Sequence, residues 1–183
     1  MSYRQELETA KKAALAAGQI LIEQKNNLNK SIFSSNTDIK LEADIVAEKL
    51  IKEILTDETS FSILAEESGQ SSDQLSDIFW VVDPLDGTAN YSRNIPICCV
   101  SIALIKNMEP VLGVIYDFSN NDLYEGSVNT SAMQNGLEIK VSDISNQGEG
   151  ILITGLPNKT DYSDEALLKM VKDFQGWRKV RMI

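Results

Sequence analysis

The sequence predicts an α+β layered fold, with helix pairs packed on a mainly antiparallel sheet. Three observations carry this reading. Two N-terminal segments repeat apolar residues every three or four positions, the period of a helix with one buried stripe. From Pro96 onward, short apolar runs alternate with tight polar turns, as in an antiparallel meander. Between these regions a β-rich apolar run ends on Asp83-Pro84, where a strand should stop because proline cannot donate to a ladder.

Tyr3 to about Lys25 reads as the first helix. Leu7, Ala10, Ala14, Ala17 and Leu21 draw its stripe, and the abundance of alanine agrees with the pattern. Asn26-Asn27-Leu28-Asn29 is its stop, and Lys30 to Thr37, polar and rich in Ser and Asn, reads as a loop. A second helix is expected from about Leu41 to Leu55, with Ala43, Val46, Ala47, Leu50 and Ile54 on one side. Asp44 falls in its first turn, where a carboxylate complements the positive helix end. Thr56 to Ser60 is a polar connection, Phe61 to Ala65 a short strand, Glu66 to Gly69 a loop, and Gln70 to Asp77 an exposed polar stretch. Phe79 to Val82 is the central buried strand.

Cys98 to Lys106, Val111 to Tyr116 and Asp122 to Ser127 continue the sheet, with turns at Asn107 to Pro110 and Phe118 to Asn121. Asn135-Gly136 is a strong turn signal. Ile151 to Thr154 is a brief strand, Asp164 to Phe174 a helix with Leu167, Leu168 and Val171 turned inward, and Trp177 to Ile183 a strand. The apolar end at Val180-Arg181-Met182-Ile183 reads as a cut through an element that should pack on something.

The chain has 183 residues, enough for a domain with a real core. A formal net charge of −10 argues against a nucleic-acid polymer as partner, which needs a basic footprint. It leaves room for a small phosphorylated substrate, because bound cations can invert a local field. Histidine is absent, which removes Ser-His and Cys-His nucleophile schemes and imidazole metal sites together. Cys98 and Cys99 are adjacent in an apolar run and read as two reduced thiols. No signal peptide opens the chain and no apolar run approaches membrane-spanning length, so the expectation is a cytoplasmic protein that does not bind membranes.

The chemistry centres on Trp80 to Tyr91, WVVDPLDGTANY. Asp83 and Asp86 lie three residues apart, Gly87 allows close backbone approach, and Thr88 adds a hydroxyl. A short helix or turn after Gly87 would leave free amides, which suit an anion. Two further acidic groups flank this run: Glu66-Glu67 after the strand ending at Ala65, and Asp44 with Asp38 and Glu42 nearby. Taken singly, Glu66 and Glu67 read as a solvated loop, Asp38 and Glu42 as helix-start charges, Asp44 as a first-turn carboxylate, and Tyr91 as packing. If the strands ending at Ala65 and Val82 are neighbours, both carboxylate sets emerge at one sheet edge. Crowded carboxylates repel unless cations sit between them, and an all-oxygen set suits Mg²⁺, Mn²⁺ or Ca²⁺.

D-P-L-D-G-T-A-N-Y, at Asp83 to Tyr91, closely resembles the inositol monophosphatase signature D-P-x-D-G-[ST]-x-N-[FY]. Asp38-Ile39-Lys40-Leu41-Glu42-Ala43-Asp44 is similar to D-[LIV]-V-T-E-A-D, with Leu41 for threonine and an unusual Lys40. Ile63 to Ser68 resembles the strand and G-E-E-[ST] that follows it, with Ala65 for glycine. Pro96 to Tyr116 resembles the strand pair P-x-x-x-x-S-I-A-L and G-V-[IV]-Y. The resemblance runs in order along most of the chain. It implies a layered sandwich of the inositol monophosphatase and fructose bisphosphatase type, and a Mg²⁺-dependent, lithium-sensitive phosphomonoesterase. By resemblance, Glu66 binds a metal and activates water with Thr88. Asp83 bridges two metals, the Leu85 carbonyl and Asp86 are ligands, and Asp44 serves an outer shell or third ion. Asp86 and the amides of Gly87 and Thr88 bind substrate phosphate.

The resemblance also implies two or three Mg²⁺ ions, replaceable by Mn²⁺ or Ca²⁺, and a homodimer. The family's G-[ST]-A-A-[LM] and W-D-x-A-A-G motifs do not occur, so residues 1–150 are expected to form the metal- and phosphate-binding domain and 151–183 the start of an α/β half that is largely absent. Gly87-Thr88-Ala89-Asn90-Tyr91 favours an inositol-phosphate-like substrate. The alternatives are a 3′(2′),5′-bisphosphate nucleotidase-like phosphatase and a non-catalytic metal-binding module.

Overall fold

Alanine and glycine set the spacing between the first helix and its neighbours. That helix, α1 (Arg4–Glu23), buries Leu7, Ala10, Ala14, Ala17 and Leu21 as expected, together with Ala13 and Gly18. A single turn, α2 (Lys25–Leu28), follows where the asparagine-rich stop was expected. The computed structural model describes residues 3–35, 39–71, 75–156 and 161–182. It divides into two units, Met1–Ile139 and Lys140–Ile183.

The segment read as a loop from Lys30 to Thr37 is in part a strand. β1 (Ser31–Ser34) pairs antiparallel with β2 (Ile39–Leu41), and cross-strand hydrogen bonding overrides the polar composition. Residues 36–38, including Asp38, lie outside the described residues. The second long helix, α3 (Glu42–Glu58), runs past Leu55 into the expected connection. Its buried face is wider than expected: Ala43 and Ala47 are joined by Asp44, Glu48, Ile51 and Leu55, while Val46 and Ile54 are half-buried and pack against the core.

The remaining elements of this unit are β3 (Ser62–Ala65), β4 (Gly69–Gln70), β5 (Ile78–Asp86), the short helix α4 (Thr88–Ser92), β6 (Cys99–Lys106), β7 (Glu109–Asp117), β8 (Asp122–Ser127), β9 (Thr130–Gln134) and β10 (Leu137–Glu138). Among the described residues they form an eight-stranded sheet in the order β10-β9-β8-β7-β6-β5-β3-β4. Its neighbours are antiparallel except β3 and β5, which run parallel. The turn at Asn135-Gly136 has both residues at positive φ, 50° and 77°, as a tight hairpin requires. The helix pair α1 and α3 packs together and lies on the sheet, α1 against β7 and α3 against β5. Val100, Ile102 and Leu104 of β6 and Leu112, Val114 and Tyr116 of β7 fill the layer between. The expected helix pair on a mainly antiparallel sheet is therefore what forms.

One expected boundary is wrong in an informative way. β5 does not stop at Pro84 but continues to Asp86 through a bulge: Asp83 lies opposite Ser101, and Asp86 opposite Cys99. The extra residue takes Pro84 out of the ladder, where its missing N–H is not needed.

In the second unit, β11 (Ile151–Thr154) and β12 (Lys179–Met182) pair in parallel, joined through helix α5 (Asp164–Phe174). Leu168 and Val171, expected to face inward, are 56% and 51% exposed. A two-stranded sheet is too narrow to cover a helix face. Among the described residues no helix is long and apolar enough to cross a membrane.

A Cβ built on Gly18 would lie 2.5 Å from Tyr116 Cδ1 and 3.0 Å from Phe118 Cβ. Overpacking of this kind costs roughly 1–3 kcal/mol, against a helix-propensity gain of about 1 kcal/mol. Gly18→Ala is expected to lower the urea midpoint; an unchanged or higher midpoint would show that the Tyr116 ring yields freely.

Candidate functional site

The parallel pairing of β3 with β5 brings two strand ends to the same edge. Ala65 lies opposite Val82, and the Glu66 amide donates to the Val82 carbonyl at 3.1 Å. Glu66 and Asp83 thus leave the sheet side by side, close enough for Glu66 to raise the Asp83 carboxyl. The Leu85 amide donates to Asp83 Oδ1 at 3.1 Å, which braces the bulge around Pro84. Asp86 is exposed, with the Cys99 thiol 3.9 Å from its Oδ2.

Gly87 then turns the chain at φ 88°, a left-handed conformation. A Cβ there would also sit 2.7 Å from the Ile97 carbonyl oxygen, so glycine is required twice over. The expected helix after Gly87 is α4. Its Thr88 hydroxyl lies 2.9 Å from Asp44 Oδ1 and 3.1 Å from the Leu85 carbonyl oxygen. One hydroxyl proton serves one acceptor at a time, so donation to Asp44 leaves the Leu85 carbonyl free to bind elsewhere. Tyr91 is packing, as expected: it is buried, and its hydroxyl donates to the Leu21 carbonyl at 2.7 Å, tying α4 to α1.

The electrostatics follow from burial and crowding. Asp83 is pushed up to about 7, first by desolvation, then by its hydrogen bond to Glu66 and the charges of Glu66 and Asp86, with the Leu85 amide opposing. Burial raises Asp44, while hydrogen bonds from the Leu41 amide (2.6 Å) and Thr88 oppose it. Cys99 is pushed up to about 12 by burial and by Asp86 and Asp83, so its thiol is neutral and no nucleophile. Cys98 and Cys99 are both free of disulfides.

Asp44, Glu66, Asp83 and Asp86 form no ion pair with Lys or Arg among the described residues. As their side chains lie, no three acidic or thiol groups among the described residues enclose a metal position. The donor set nevertheless fits a hard cation: it is all oxygen, and its crowded carboxylates repel one another in the absence of a neutralising partner among the described residues.

The structure therefore gathers Asp44, Glu66, Asp83, Leu85, Asp86, Gly87 and Thr88 into one region. Glu42 stays apart, 3.7 Å from Lys30, as a helix-start charge. Lys40, unusual in the sequence, forms an ion pair with Glu67. One residue, Glu48, was missed. Glu48 is buried beneath the Glu66 turn. Its signal was present, an acid in register with Asp44, Ile51 and Leu55 on one helix face.

Residues 2–182 match the family model described as the inositol monophosphatase family. A protein named Nus factor SuhB from Xylella fastidiosa is 38% identical over 87% of this chain and 58% of its own length. A fructose-1,6-bisphosphatase/inositol-1-monophosphatase from Aquifex aeolicus is 36% identical over 91% of this chain and 64% of its own. The solved inositol monophosphatase from Anabaena superposes with a TM-score of 0.84 at 34% identity, covering 100% of this chain and 68% of that one. The chain thus spans less than two thirds of the length of these curated relatives.

The raised Asp83 makes stability depend on pH. An unfolded aspartate titrates at about 3.9, and Asp83 in the folded chain at about 7. Between these values the native state holds the extra proton, so stability falls as pH rises through the window. In chelator, the melting temperature is expected to drop between pH 5 and pH 8, more steeply than in Asp83→Asn. Mg²⁺, which replaces the proton, is expected to restore it most at pH 8. Parallel pH profiles for the two proteins would refute the assignment.

Proposed function

This chain belongs to the inositol monophosphatase family, and on that premise we propose that it carries the metal- and phosphate-binding part of a Mg²⁺-dependent phosphatase. The substrate class is a small phosphate monoester, with an inositol phosphate favoured. The observation that carries the proposal is the convergence of Glu66, Asp83 and Asp86 beside the Thr88–Asp44 pair, with no ion-paired Lys or Arg among the described residues to neutralise them.

Glu66, Asp83, Asp86 and the Leu85 carbonyl would hold the ions. Bound hard cations would supply charge neutralisation at the phosphoryl group and a more acidic water. The chain's own groups do the rest. Thr88 directs its proton to Asp44 Oδ1 and so keeps lone pairs to orient an attacking water. The Glu66 carboxylate stands ready to accept that water's proton. The amides of Gly87 and Thr88 would steady the phosphate oxygens. Phosphoryl transfer asks mainly for positioning and charge neutralisation, so the absence of histidine is no obstacle. A functional boundary near residue 150, a cytoplasmic setting and a homodimer belong to the same proposal.

A second reading, a binding module without turnover, draws support from the relative named Nus factor SuhB rather than by a phosphatase activity. Phosphate release from inositol monophosphate, from a 3′,5′-bisphosphonucleoside and from a generic aryl phosphate separates the readings. The phosphatase reading expects Mg²⁺-dependent release, reduced at least about a hundredfold in a folded Asp83→Asn variant, because even outer-shell changes at metal sites cost 10–100-fold. Undiminished turnover in that variant would sink the mechanism; a folded chain that binds Mg²⁺ and stays silent would favour the binding module.

A further inference from the structure

We propose that Glu48 is a positioning residue that fixes the turn carrying Glu66; what the turn is held for rests on the phosphatase reading above. Glu48 lies one helical turn beyond Asp44 on α3 and is 4% exposed. Its Oε2 accepts hydrogen bonds from the amides of Glu67 at 2.8 Å and Ser68 at 3.4 Å. Lys52 lies 3.9 Å from its Oε1 and donates to Ser68 Oγ at 2.8 Å.

The need for such an acceptor comes from the backbone. β3 and β4 pair Ala65 with Gly69, leaving Glu66, Glu67 and Ser68 as a three-residue turn closed by Gly69 at φ 72°. The Glu67 and Ser68 amides bond to Glu48 instead of to a strand, so this one carboxylate closes the turn. Glu48 supplies that acceptor from the helix layer below, and the amides in turn satisfy a carboxylate that would be unfavourable to bury alone.

Glu66 is then held from both sides. Its own amide is tied to the Val82 carbonyl of β5, and the next two amides are tied to Glu48. The Cα of Glu66 is fixed relative to Asp83, so the two carboxyl groups start from a set separation. Aspartate at position 48 keeps the charge but is one methylene shorter and falls short of both amides. Glutamine keeps an acceptor at the same reach.

The test compares the full chain with Glu48→Asp and Glu48→Gln. Mg²⁺ affinity is read by calorimetry, and amide hydrogen exchange at Glu67 and Ser68 by NMR. Glu48→Asp is expected to weaken Mg²⁺ binding by about tenfold, the size typical of an outer-shell change, and to speed exchange at both amides. Glu48→Gln is expected to recover most of that loss. A purely structural role would lower the melting temperature and leave affinity alone, and that result in folded Glu48→Asp overturns the proposal. Fast exchange of the two amides in the wild type overturns it whatever the variants do. If the wild type binds no Mg²⁺, the metal reading fails instead, and amide exchange alone judges Glu48.

Discussion

β3 and β5 run in the same direction, held in register from Ser62 opposite Phe79 to Ala65 opposite Val82. The other neighbours in this sheet are antiparallel, and antiparallel strands deliver consecutive chain exits to opposite edges. This parallel pair is what lets Glu66 and Asp83 emerge together. The arrangement is intolerant of slippage, because a shift of one residue would turn Asp83 to the other face of the sheet. Buried Trp80, Val82 and Ile63 oppose such a shift, since slipping would expose them.

Gathering carboxylates is unfavourable, and the fold offsets this locally. Asp44 and Glu48 stand one turn apart on the buried side of α3, each beneath a different part of the site. Asp44 is satisfied by Leu41 and Thr88, Glu48 by Glu67 and Ser68. These hydrogen bonds are what make burial of two acids tolerable. Asp83 has the Leu85 amide alone to set against burial and the nearby Glu66 and Asp86, and its carboxyl is pushed up to about 7.

Much of this was legible in the residues. The alanine stripe of α1 needed only the helical period, and Asp83 to Tyr91 carried enough turn chemistry to place a bend, a glycine and a short helix. What escaped the sequence was decided by long-range partners. Ser31 to Ser34 is too polar to announce a strand and becomes one through β2. Pro84 correctly signals a break in the ladder, but the break is a bulge, and only the register with Ser101 and Cys99 reveals that the strand resumes. The face of α3 is wider than its apolar stripe suggests: Val46 and Ile54 flank it, and once Asp44 and Glu48 are allowed inside, Ile51 and Leu55 fall into line with them. Lys40 stood out as an oddity, and its pairing with Glu67 depends on a meeting of β2 with the Glu66 turn that no local pattern encodes.

The tie between Tyr91 and Leu21, and the seat of Gly18 against Tyr116, make α1 answerable to elements made much later. During synthesis α1 leaves the ribosome long before β7 exists to receive it. Contacts of such wide separation in the chain close slowly. A nascent polypeptide that has reached only β5 already holds all four carboxylates, yet lacks β6, the strand that backs Asp83 and Asp86. The acids are therefore translated early and assembled late.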